Sequence, residues 1–349
     1  MKKKQIINLI RYHSENNEVG FKKEAFNIAN SFEKSGDAQL AEYIMALLSD
    51  NNVFTPQMQN ESFEYIKKMD INNKSLPLPD VIKEDIIGIV NAIGHNAGVS
   101  KFLFEGDPGT GKTETVKQIS RILDRELFYV DFDSLIDSKL GQTSKNVSNL
   151  FNEMNSIVYP QNVVILFDEI DGLAMNRMNN SDIREMGRAT TSLLKGLDSV
   201  NENLVIIGTT NLFKEFDKAL IRRFDATINF NRYKPQDLIE IAVFIIDELV
   251  NVFKFTSRNK RLLKKILETA EKLPYPGDLN NILRTSVAFS NPNNEFDYLK
   301  KIFIRIIGEE YLTVEFLKSK KYTVREIEVL TGISKSQVSR EMKGEKNDE

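Results

Sequence analysis

Residues 106–113 read Gly-Asp-Pro-Gly-Thr-Gly-Lys-Thr, a full match to G-x-x-x-x-G-K-[ST]. Glycines at these intervals let backbone N–H groups turn inward around an anion, at the point where a buried strand gives way to a helix. Both flanks are present: "SKFLFE" before the run and "TETVKQISRIL" at its end. Gly106, Asp107, Pro108, Gly109, Thr110 and Gly111 are thus expected to cradle phosphates, with Glu114 in the first helical turn beside them. The Lys112 ammonium reaches the β- and γ-phosphates of a nucleotide in such a loop, and the Thr113 hydroxyl is placed to ligate Mg²⁺.

A second run, "VVILFDEID" (163–171), delivers two adjacent carboxylates at the end of an apolar strand. Open α/β sheets bind ligands at that end of their strands. Asp168 is the candidate to hold Mg²⁺, directly or through water, and Glu169 the candidate to orient and deprotonate an attacking water. Asn211, at the end of "VIIGTTN", is placed to hydrogen-bond that water or the γ-phosphate. Five compact apolar runs, "SKFLFEG", "LFYVDF", "NVVILFDEI", "NLVIIGTTN" and "ATINF", alternate with helical stretches. Strands buried on both faces and separated by helices predict an α/β fold with a doubly wound parallel sheet.

Several chemistries are excluded. There is no cysteine, hence no disulfide and no thiolate-held metal. His13 and His95 are the two histidines, far apart and without a partner at metal-ligand spacing, and they suggest no Ser-His-Asp arrangement. The net charge of −3 confines any nucleic-acid contact to a local patch. No apolar run approaches the roughly 18 residues that a membrane span needs, so a soluble, cytoplasmic protein without membrane contact is expected.

Taken together, the glycine-rich loop and "FDEID" resemble the AAA-family (AAA+) ATPases, and the likeness extends over about residues 81–291. "ALIRRFD" (219–225) resembles the arginine-finger segment of the katanin and spastin branch, which puts Arg222 and Arg223 on the arginines that enter a neighbouring subunit's site. "RATTSLLKGLD" (188–198) is similar to the helix in which Arg188 would reach across the same interface. The resemblance implies ATP as substrate, Mg²⁺ as its companion ion, and a homo-oligomeric ring, usually a hexamer. "PGDLNNILRTSVAF" (276–289) resembles the lid helix near adenine and ribose, with Asn280 where many relatives carry an arginine and Arg284 one turn later. "DSKLGQTSKN" (137–146) departs from the protein-threading members, since it offers Leu140 and no aromatic residue at the pore position. The layout also resembles bacterial AAA ATPases encoded beside a subtilisin-like protease, often in suspected phage-defence gene pairs.

The flanks read as helical. An N-terminal helical adaptor is expected over 1–72, the α/β ATPase domain over 73–234, a helical lid over 235–309, and a C-terminal helix-turn-helix over 310–349. "KKEAFNIANSFEKSG" and "DAQLAEYIMALL" carry apolar residues at helical spacing, and "NKSLPLPD" (73–80) reads as a linker. In the tail, Thr323 with Glu326 and Ser334 with Gln337 are two capping-box patterns around Gly332. Ile327, Leu330, Ile333 and Val338 have the spacing of a small shared core. Lys335, Ser336, Ser339, Arg340 and Lys343 would face a groove or its phosphates. Residues 311–344 hold seven Lys and Arg against four Glu, so residues 322–344 suit DNA. The alternatives are a protein-docking hairpin, or a hairpin that packs on the lid. Two functions stay open at this point: ATP-driven remodelling or unfolding of a bound protein, with a protease as one partner, and a DNA-associated ATPase switch.

Overall fold

The structure is a computed structural model that describes residues 3–14, 18–34, 63–71, 77–95, 97–136, 142–173, 182–215, 217–253 and 256–344. The chain divides into two units, Met1–Ser62 and Phe63–Glu349. In the first, α1 (Lys3–Ser14) and α2 (Glu18–Lys34) pair, with Ala25, Ile28 and Ala29 buried at helical spacing and His13 set 5.9 Å from Phe21, ring to ring. The helix expected over "DAQLAEYIMALL" lies outside the described residues.

The second unit holds a six-stranded sheet in the order β1-β3-β4-β5-β2-β6. Its strands are β1 (Ile66–Lys68), β2 (Lys101–Glu105), β3 (Glu126–Val130), β4 (Val163–Phe167), β5 (Val205–Thr210) and β6 (Ala226–Asn229). All pairs are parallel except β1 with β3. The central strands β4 and β5 are buried along their whole length, as their unbroken apolar runs require. Among the helices are α3 (Asp80–Gly94), α4 (Lys112–Ile122), α5 (Phe132–Leu135), α6 (Gln142–Asn155), α7 (Asp182–Ser199) and α8 (Lys218–Ile221). This arrangement is the predicted parallel α/β sheet. Ile82, Ile86, Ile89 and Ile93 of α3 and Val116 and Ile119 of α4 cover one face of it.

Strand β1 falls in a stretch that reads as helical. It is three residues long, and "IKK" buries Ile66 alone. Its place comes from distant partners: the Glu153 carboxylate on α6 accepts the N–H groups of Glu64, Tyr65 and Ile66 at 3.2–3.3 Å, and Lys68 pairs with Glu126 at 2.5 Å. Nothing local to the chain encodes that.

Seven helices follow the sheet: α9 (Pro235–Val252), α10 (Lys260–Thr269), α11 (Pro276–Ala288), α12 (Asp297–Ile306), α13 (Val314–Ser319), α14 (Val324–Thr331) and α15 (Lys335–Gly344). They share one core. Leu263, Ile266, Tyr298 and Ile302 of the earlier helices pack in the same cluster as Leu317, Ile327, Leu330 and Val338. Tyr322, 3% exposed, hydrogen-bonds Thr269 at 2.9 Å, and Glu326 pairs with Lys265 at 2.8 Å. Burial lifts the Tyr322 phenol to about 12. The tail hairpin is thus built onto the lid rather than around a core of its own.

Thr323 and Glu326 form a complete capping box, with Thr323 N–H to Glu326 at 2.8 Å and Glu326 N–H to the Thr323 hydroxyl at 3.3 Å. The second pattern is half formed. Gln337 N–H donates to the Ser334 hydroxyl at 3.4 Å, but the Gln337 amide turns to Glu341 at 3.2 Å. Lys335, Ser336 and Arg340 are exposed and Ser339 is half-buried, while the Lys343 side chain lies outside what is described. Among the described residues no helix is long and apolar enough to cross a membrane.

Candidate active site

The loop after β2 crosses the carboxyl edge of the sheet. Gly106, Gly109 and Gly111 adopt φ of 152°, 78° and 91°, a region in which a side chain is strained. Asn231, just past β6, accepts the Asp107 N–H at 2.8 Å, and the Tyr233 hydroxyl donates to Thr110 O at 2.8 Å. Burial holds that phenol well above its ordinary range. The loop is therefore braced from the far side by the β6 strand end.

Lys112 starts α4 and is 7% exposed. Its ammonium donates to Gly106 O at 2.7 Å, Asp107 O at 3.0 Å and Asn211 Oδ1 at 2.8 Å. Burial lowers its pKa, while the charges of Asp168, Asp171, Glu169 and Asp107 pull the other way. A phosphate oxygen at this place would compete for the same donors and add further negative charge, favouring the ammonium.

The two carboxylates leave the end of β4 in different directions. Asp168 Oδ1 accepts from the Thr113 hydroxyl at 2.9 Å and from the Thr209 hydroxyl at 2.7 Å. Glu169 has φ of 51°, uncommon for a side chain of this size. Its N–H donates to Thr209 Oγ1 at 2.9 Å, and its carboxylate accepts from Asn211 Nδ2 at 3.2 Å. Asn211 thereby bridges Lys112 and Glu169, and Thr209 fixes both acidic residues. Asp171 is 5% exposed, and its Oδ1 has no hydrogen-bond partner among the described residues.

These groups line a cavity of about 590 Å³, within the range that takes a nucleotide-sized ligand. Glu114 and Pro108 also border it, together with Asn280 and Arg284 on one face of α11. The first turn of α11 touches the loop directly: Gly277 N–H donates to Gly109 O at 2.8 Å, and a Cβ on Gly277 would lie 2.9 Å from Gly109 Cα. Leu140 is outside the described residues, and Arg188 is exposed on α7. Arg222 and Arg223 follow α8 at the opposite edge of the sheet, away from this cavity.

Thr209, Tyr233 and Gly277 are site residues that the motifs do not single out. Thr209 alone had a local signal, as the strand-end neighbour of Asn211. Tyr233 and Gly277 matter through contacts more than a hundred residues away in sequence.

The donor set suits Mg²⁺. One hydroxyl and one carboxylate converge at Thr113 and Asp168, and among the described residues no cluster of three or more His, Cys, Asp or Glu could hold a metal by itself. Mg²⁺ takes one or two protein oxygens and completes its shell with phosphate and water, so this sparse set fits.

Comparison with known proteins agrees with the geometry. Residues 102–232 match the family model "ATPase family associated with various cellular activities (AAA)". The chain is 38% identical over 133 residues to an uncharacterized AAA family ATPase, y4kL, of Sinorhizobium fredii, covering 38% of this chain and 39% of that one. It is 29% identical over 228 residues to the peroxisomal ATPase pex6 of Schizosaccharomyces pombe, covering 63% and 23%. In both, the match spans less than half of the relative. Among solved structures, a chain of the E. coli MS115-1 HORMA:CdnC:Trip13 complex superposes with a TM-score of 0.54 at 17% identity, over 69% of this chain and 94% of that one, which shows a shared fold. Residues 102–232 of this chain are an AAA-family ATPase domain.

Proposed function

We propose that this chain hydrolyses ATP and that a homo-oligomeric ring of it, a hexamer, uses the cycle to remodel or unfold a bound protein. The observation that carries the catalytic part is the connected path Lys112–Asn211–Glu169, alongside Thr113–Asp168–Thr209, in one cavity. Loop N–H groups and Lys112 bind and orient the phosphates. Mg²⁺ at Thr113 and Asp168 would neutralise charge on the β- and γ-phosphates. Glu169 takes the proton of the attacking water, and Asn211 fixes the carboxylate oxygen that receives it.

The domain layout proposed from the sequence, with an N-terminal adaptor, a lid and a C-terminal hairpin, gives the ring its attachment points. A bound protein, or a protease that receives it, would be recruited there. Lid packing of the tail supports a protein-docking role for residues 322–344. Exposed Lys335, Ser336 and Arg340 support DNA contact as the second reading.

The test is the ATPase rate per subunit against protein concentration, with an unfolded model protein or with duplex DNA. A rate that climbs with concentration and rises further with unfolded protein supports the proposal. A concentration-independent rate contradicts the ring, and stimulation by DNA alone moves the assignment to the DNA-associated switch.

A further inference from the structure

Between α8 and β6 stand Arg222, Arg223, Phe224 and Asp225, and three of these four side chains are committed to the fold. The Arg223 guanidinium meets Asp198 side-on, Nε to Oδ1 at 3.1 Å and Nη2 to Oδ2 at 3.2 Å, while Nη1 donates to Ala219 O at 3.1 Å. Phe224 is 7% exposed and packs over Gly208, where a Cβ would sit 3.1 Å from its ring. Asp225 accepts the N–H groups of Ser100 and Lys101, each at 2.9 Å, and donates its own N–H to Lys101 O at 2.8 Å. Arg222 differs. It is exposed, and its side chain has no partner among the described residues.

The position of the segment matters as much as its contacts. Ala226 pairs with Phe102, at the start of β2, whereas the phosphate loop begins after Glu105 at its end. A five-residue strand spans about 16 Å, farther than a side chain at one end reaches to a phosphate at the other. Neither arginine therefore serves the chain's own nucleotide.

We infer that the two arginines divide the work: Arg222 alone is the cation this chain presents to the nucleotide of a second copy, and Arg223 is a positioning residue. Through Asp198 at the end of α7, Arg223 fixes the short turn on which Arg222 stands. The inference rests on the proposed ring, since it needs a second copy. Its rival is that Arg223 leaves Asp198 and enters the neighbouring site itself. The two accounts differ in what loss of Asp198 does. If Arg223 works from Asp198, Asp198→Ala disorders the turn and lowers the rate. If Arg223 acts in trans, the same change releases it and the rate holds or rises.

The experiment measures ATPase rate, nucleotide affinity and Tm of the full chain for Arg222→Ala, Arg223→Ala, Asp198→Ala, the Arg223→Ala/Asp198→Ala double variant, and the swap Asp198→Arg/Arg223→Asp. Arg222→Ala should lower kcat by at least ~100-fold with nucleotide affinity unchanged. Arg223→Ala and Asp198→Ala should each lower it by no more than about tenfold, the double variant should match either single one, and the swap should recover most of the loss. Arg223→Ala as severe as Arg222→Ala, with Asp198→Ala at the wild-type rate, overturns the division. A mixture of Lys112→Ala with Arg222→Ala protein tests the ring separately. The first has the arginine and no site, the second the site and no arginine, so activity should appear on mixing. Recovery on mixing together with a severe Arg223→Ala defect sinks the division and leaves the ring standing. A wild-type rate in Arg222→Ala with no effect of mixing sinks both.

Discussion

The nucleotide cavity and the tail hairpin are held together in opposite ways. At the cavity, side chains from β4, β5 and the start of α4 meet in a polar chain in which Thr209 serves Asp168 and Glu169 together. In the tail, Ile327, Leu330 and Val338 are all fully buried in the lid core, and polar contacts are confined to its edge. Polar geometry is specific but fragile in rate; apolar packing is robust in function but dominates stability. Substitutions in the two regions should therefore move different observables.

The largest effect on stability is expected in the hairpin. Leu330→Ala removes a fully buried side chain and should cost about 2–5 kcal/mol, read as a lowered Tm with nucleotide affinity unchanged in the folded fraction. A Tm within the scatter of wild type would mean that the hairpin is not part of the lid core. Thr209→Val keeps the volume but deletes the hydroxyl between the two acidic residues. It should lower kcat by roughly 10–100-fold with little change in Tm, and a wild-type rate would remove Thr209 from the site. Gly277→Ala forces apart the first turn of α11 and the phosphate loop, at an overpacking cost of about 1–3 kcal/mol. Weaker binding of a fluorescent nucleotide would show it, and unchanged affinity would mean that the lid does not lean on the loop when nucleotide binds.

The remaining two effects are small and refine the edge of the hairpin. Burial pushes the Glu326 carboxyl up, but the Lys265 ammonium and the Thr323 N–H outweigh it and leave the pKa lowered. A depressed folded pKa gives stability above the unfolded value, about 4.3, that is lost as pH falls through the folded one. The Tm gap between wild type and Glu326→Gln should be constant near neutrality and close in acid. A gap that persists at low pH would exclude the carboxylate as its source. Lys335→Ala with Arg340→Ala should change stability by less than about 0.5 kcal/mol, since both are exposed. A larger loss would place them in packing rather than at a contact surface.

What could be read in advance follows the same division. The phosphate loop, Asp168, Glu169 and Asn211 are legible because phosphate chemistry demands certain residue types at strand ends, and the apolar strands announce the parallel sheet. Strand β1 is illegible because three residues, two of them lysines, take their place from Glu153 and from β3. The hairpin's helices are written in its caps and Gly332. Its attachment to the lid is not, because Ile327 and Leu330 would look the same in a free hairpin as against Leu263 and Tyr298. Sequence gives the apolar face of a helix; it does not give what that face meets.

The most direct test of the central claim is single-turnover and steady-state ATP hydrolysis by Glu169→Gln, with nucleotide binding measured on the same protein. The account predicts binding like wild type, turnover reduced by about 10²–10⁴-fold, and an oligomer that persists with ATP bound. Wild-type turnover in Glu169→Gln would contradict it, because the proton of the attacking water would then be leaving by a route that does not include Glu169.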